Sequence, residues 1–96
     1  AMEQSKIREE KIEPRLRRML ADPQVDDSIP VIVQTFLGVK PQVLDMVKMF
    51  KGTFKEELPI IKGFTADLSP KAIEAMILSD LIKAISYDAP VSGFGG

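Results

Sequence analysis

The residues in this chain capable of proton transfer, nucleophilic attack or metal binding are few, and their spacing restricts them further. Glu56 and Glu57 are adjacent. Neighbours on a strand point to opposite faces, so these carboxylates cannot flank one substrate as acid and base. A charged, solvated strand edge is what they indicate. Asp26 and Asp27 sit in an aspartate-rich stretch from Gln24 to Ser28 that lacks a third carboxylate or a calcium-loop spacing, which makes them turn residues. Ser69 precedes Pro70 at the head of an apolar-periodic run and suits a helix cap; no base is available to activate it as a nucleophile. The chain has no histidine and no cysteine. That inventory excludes imidazole zinc sites, His-dependent triads, disulfides, thiolate metal sites and a cysteine nucleophile. No metal and no cofactor is expected.

Binding chemistry is restricted too. The 96 residues carry a net charge of −1, which gives no global basic field for nucleic acid or an anionic membrane. Six basic residues among the first twenty (Lys6, Arg8, Lys11, Arg15, Arg17, Arg18) are interleaved with Glu3, Glu9, Glu10 and Glu13, the pattern of a solvated helix surface. RNA recognition on a sheet needs stacking aromatics with basic neighbours. Here Phe64 shares its face with Ala66 and Leu68, which fits a core, and no RNP-like pattern is present. Met19, Met46, Met49 and Met76 fall at helical spacing and read as core filler. No apolar run approaches the ~20 residues of a membrane span, and no signal peptide is visible. Ala1-Met2 reads as a cloning remnant.

The elements that must position these residues centre on Pro30-Val31-Ile32-Val33-Gln34-Thr35-Phe36-Leu37, the most strand-like run. Val31, Val33, Thr35 and Leu37 would point one way, with Ile32, Gln34 and Phe36 the other. Both faces are largely apolar, as in a central strand covered above and below. Before it, residues ~5–21 form a helical segment interrupted by Pro14, with a frayed first part and a firmer helix from Pro14 to Ala21. After it, a helix runs from Pro41 to Lys51 with Val43, Leu44, Val47 and Phe50 on one face and Gly52 as its left-handed cap. Thr53 to Leu58 is an edge strand guarded by charge and by Pro59. Gly63 to Leu68 is a third strand, with Phe64, Ala66 and Leu68 inward. Ser69-Pro70 opens a second helix with Ala72, Ile73, Met76 and Ile77 inside, and Leu81 to Asp88 makes the last strand. The order predicts an α+β, ferredoxin-like βαββαβ sandwich: a four-stranded antiparallel sheet with two helices on one face, preceded by an extra N-terminal helix. Residues 1–28 form the N-terminal extension and loop, 29–89 the α+β domain and 90–96 an extended tail.

Several blocks resemble the subtilisin propeptide family, the inhibitor-like prodomains of subtilases. Pro30-Val31-Ile32-Val33-Gln34 is similar to the opening of that family's first strand. Gly63-Phe64-Thr65-Ala66-Asp67-Leu68-Ser69 resembles its GFSA-x-LS block, and Asp80-Leu81-Ile82-Lys83-Ala84-Ile85-Ser86-Tyr87-Asp88 resembles its closing strand. Ile12-Glu13-Pro14-Arg15-Leu16 looks like the lead-in of longer prodomains. The resemblance implies an intramolecular chaperone and product-like inhibitor of a subtilisin-like serine protease, acting in cis or in trans, with no enzymatic activity of its own. It would be secreted or in the cell envelope with the parent protease, and would have neither nucleic acid nor membrane as partner. The docking face it implies holds Ile32, Phe36, Ala84, Ser86 and Asp88. The family commonly has an acid pair two residues apart on the last strand, of which only Asp88 stands here. The tail residues Val91, Ser92, Gly93 and Phe94 would lie in the protease cleft with cleavage after Phe94; the rivals are a bond after Gly96 and a tail that is an ordinary disordered terminus. The alternative function is a small regulatory or dimerisation module, its second sheet face covered by a twin chain or by the N-terminal helix.

Overall fold

A computed structural model describes residues 2–89. Two short helices come first, α1 (Met2–Lys11) and α2 (Pro14–Ala21). A βαββαβ unit follows: β1 (Ile29–Thr35), α3 (Pro41–Met49), β2 (Thr53–Leu58), β3 (Gly63–Leu68), α4 (Pro70–Met76) and β4 (Ile82–Tyr87), with a 3-10 turn, Pro59–Ile61, between β2 and β3. The strands form one antiparallel sheet in the order β2-β3-β1-β4, which makes β1 and β3 central. This is the ferredoxin-like α+β arrangement expected from the element order.

The two faces of β1 differ more than its apolar sequence suggests. Ile29, Val31, Val33 and Thr35 are buried, while Pro30, Ile32 and Gln34 are half-buried. The buried register continues across the sheet, with Val31 opposite Ala66 and Tyr87, and Val33 opposite Phe64 and Ile85. Val43 and Val47 of α3 join Ala72, Ile73 and Met76 of α4 in the same core cluster, so both helices cover this face. Phe64 is fully buried and stacks on Phe54 at 5.3 Å between ring centroids, an arrangement that contributes about 0.5–1.5 kcal/mol beyond area burial. Pro30 is tolerated in a central strand because its carbonyl accepts the Asp88 N–H at 2.9 Å where the β1–β4 ladder ends. Its missing donor therefore falls just past the last β4 pair.

Helix ends follow local chemistry. The Ser69 hydroxyl accepts the Ala72 N–H at 3.1 Å and Pro70 occupies the first turn of α4. The expected left-handed cap at Gly52 is not there. Lys51 takes that conformation (φ 61°), with its N–H bonded to the Lys48 carbonyl and that of Gly52 to the Val47 carbonyl, a Schellman closure of α3. Gly52 is instead required by close approach: a Cβ there would stand 2.5 Å from Leu68 Cδ2 and 3.0 Å from the Asp67 carbonyl.

Three further expectations are corrected. The segment before Pro14 is a regular helix rather than a frayed lead-in: Arg8 pairs with Glu74 at 3.1 Å, and the Lys11 ammonium donates to the Ile77 and Ser79 carbonyls, both at 2.9 Å. Those carbonyls lie just past the end of α4, where the helix dipole favours a cation. β1 stops at Thr35, two residues short of Leu37. Thr35 is buried; its hydroxyl donates to the Lys62 carbonyl and accepts the Gly38 N–H at 2.8 Å. These bonds turn the chain at Phe36-Leu37, and Gly38 completes the turn at φ 97°. Met49 is 68% exposed and is not core filler, whereas Met76 is buried and Met19 and Met46 pack against the core.

Candidate functional site

The sheet face opposite α3 and α4 is built by alternation from the central strands and β4. Ile32 stands opposite Thr65 on β3 and Ser86 on β4; Gln34 stands opposite Gly63 and Ala84. All but the buried Gly63 are half-buried. Ile32, Ala84 and Ser86 are thus brought together at the centre of one face, with Asp88 at its end beside Pro30. Phe36 lies beyond the end of β1, 50% exposed, in a groove it shares with Gln34, Ile60, Ile61, Lys62 and Lys83, so it adjoins that face at Gln34. The proposed tail residues Val91, Ser92, Gly93 and Phe94 lie outside the described residues.

Among the described residues, the N-terminal helices pack elsewhere than on that face. The apolar positions Ile7, Ile12, Leu16, Met19 and Leu20 all join or pack against the core cluster. Ile12, between α1 and α2, forms a parallel bridge to Ile85 on the outer edge of β4 and is buried together with Leu16. The helical extension therefore closes the sheet edge and the helix-side core rather than spreading across the second face.

Glu13 fastens this closure. As N-cap of α2 its carboxylate accepts the N–H of Arg15 (3.0 Å) and of Leu16 (2.8 Å), and reaches across to the Tyr87 N–H on β4 (3.3 Å). Burial alone would raise its pKa, but the three backbone donors and the nearby Arg15 charge outweigh it and hold the carboxyl below its ordinary value. Arg15 also lies over the Tyr87 ring at 4.8 Å from its centroid. In the sequence Glu13 belongs to a lead-in and a solvated charge pattern. The available signal was Glu13-Pro14 ahead of an apolar-periodic run, an acidic acceptor before a first-turn proline.

Glu56 and Glu57 stand opposite Thr65 and Phe64, successive residues on β3, and so face opposite sides of the sheet. Lys55 pairs with Asp67 at 2.9 Å. Among the described residues, no three His, Cys, Asp or Glu side chains are grouped to hold a metal ion, and no helix is long and apolar enough to cross a membrane. No family model matches the chain, and neither characterised proteins nor solved structures yield a match.

Proposed function

We propose that this chain is a prodomain that assists the folding of a subtilisin-like serine protease and then inhibits it, with no activity of its own. Support comes from the resemblance of the Pro30–Gln34, Gly63–Ser69 and Asp80–Asp88 blocks to the subtilisin propeptide family. The observation that carries the reading is a mixed sheet face, centred on Ile32, Ala84 and Ser86, that lies opposite the core packed by α3 and α4 and that, among the described residues, no helix packs on. An apolar-centred face with polar neighbours suits docking on a folded protein better than small-molecule chemistry. In this reading Asp88 supplies the acid that caps a helix N-terminus on the protease.

Inhibition kinetics test it. The domain added to a generic subtilisin suppresses peptide hydrolysis; deletion of 90–96 raises the inhibition constant by about tenfold or more, equivalent to ~1.4 kcal/mol. Asp88→Asn slows association. An inhibition constant unchanged by the deletion removes the tail from the mechanism, and no inhibition of any subtilase removes the reading. The alternative, a dimerisation module, draws on one specific observation: the side chain of Ile60 is 99% exposed.

A further inference from the structure

The first residue past β1, the turn after β2 and the start of β4 meet at one end of the sheet, and backbone bonds fix each of them there. Lys62 closes the Pro59–Ile61 turn at φ 55°, and its carbonyl accepts both the N–H (3.1 Å) and the hydroxyl of the buried Thr35. Phe36, the next residue, donates its N–H to the Leu81 carbonyl at 3.2 Å, just ahead of β4. β4 then carries one extra residue. Gln34 pairs with Ala84 and Thr35 with Ile82, so Lys83 is left without a partner on β1. Strict alternation from the buried Ile85 would send Lys83 to the core side; the bulge sends Ile82 there instead and leaves Lys83 exposed.

The result is a groove in which Lys62 and Lys83 share walls with Phe36, Ile60 and Ile61, continuous with Gln34. Among the described residues no acidic side chain lines it, and neither lysine, both exposed, belongs to an ion pair. Cations beside an aromatic ring and aliphatic side chains attract an anion that brings its own hydrocarbon. A polyanion fits badly. The net charge is −1, and Glu56 and Glu57 line a second groove around the same turn, where they repel a nucleic-acid backbone or an anionic membrane. A short acidic segment places its charge on the two lysines alone.

We infer that this groove binds a protein segment in which a large apolar side chain is flanked by carboxylates, the apolar group lying against Phe36 and Ile61 and the carboxylates pairing with Lys62 and Lys83. Exposed ion pairs contribute only about two- to fivefold each, so the apolar anchor and both lysines are needed together. The groove adjoins the Ile32 face at Gln34, but the chemistry of the segment does not depend on the protease reading.

Amide-resolved NMR titration of the labelled chain tests it, with acetyl-Gly-Glu-Phe-Glu-Gly-amide as the probe. Shifts concentrate on Gln34, Phe36, Lys62 and Lys83, and high salt weakens binding. Replacing both glutamates of the probe by glutamine, or its phenylalanine by alanine, raises the dissociation constant about tenfold. Lys62→Gln/Lys83→Gln weakens the glutamate peptide by the same factor and leaves the glutamine peptide unchanged. That variant keeps the wild-type urea midpoint, since both side chains are exposed. A glutamine peptide that binds as well as the glutamate peptide overturns the inference. So do shifts absent from the groove at millimolar peptide, or a single-stranded oligonucleotide that displaces the peptide from it.

Discussion

Glu13 shows how much a single side chain fixes here. One carboxylate satisfies two orphan donors of α2 and a third on β4, so it joins elements 74 residues apart in sequence. Glu13→Ala removes the cap and the cross-link and lowers stability by about 1–2 kcal/mol at neutral pH, read by urea denaturation. Because the folded pKa is depressed, this contribution is fully present above the unfolded value of about 4.3 and is lost as pH falls through the folded pKa. The difference between wild type and Glu13→Ala therefore shrinks in acid, and a gap that stays constant down to pH ~2 would mean that the carboxylate charge is not what binds the three donors. The αL position after α3 gives a second check. Gly52→Ala forces Leu68 or the β3 backbone aside and costs about 1–3 kcal/mol, whereas Lys51→Gly, which relieves positive φ, is neutral or stabilising by up to ~1 kcal/mol. Glycine at the end of a helical run ordinarily signals the left-handed cap; here the constraint is Leu68, a contact distant in sequence, which is why local pattern placed the cap one residue late.

At the scale of elements, strand alternation and capping carried most of the information. Gly63–Leu68 and Ser69-Pro70 appear with the bounds and roles their sequence implies, because period-two burial and a serine cap are local signals. Leu37 failed for a non-local reason: the Thr35 hydroxyl bonds to Lys62, 27 residues away, and ends β1 early. In the N-terminal helices the charges indicate solvent and the apolar positions a buried stripe; Ile12 and Leu16 are as buried as Val31, but where they pack was not legible, because it is set by β4, an edge strand whose outer side needs a partner. Ile12→Ala or Leu16→Ala accordingly costs about 2–5 kcal/mol by thermal or urea unfolding. A loss below ~0.5 kcal/mol, the range of surface substitutions, would show that the extension is an appendage rather than part of the core.

In the described residues the helices, including the added pair, pack on one face and one edge of the sheet. The order of elements made that architecture readable from sequence. The composition of the opposite face was readable from strand alternation: Ile32, Ala84 and Ser86 converge there, and Phe36 adjoins it through a groove shared with Gln34, past the turn at Thr35. On that face, Ile32→Asp and Ala84→Asp leave the helix-side core intact and weaken protease inhibition at least about tenfold, with unfolding cooperativity retained. The most direct measurement is methyl-resolved NMR of the labelled domain titrated with an active-site-inactivated subtilisin-like protease. Line broadening and shift changes are expected on Ile32, its β3 neighbour Thr65 and Ala84 on β4, with Val43, Val47 and Ile73 unchanged. Perturbations confined to the helix face, or none at saturating protease, would contradict it.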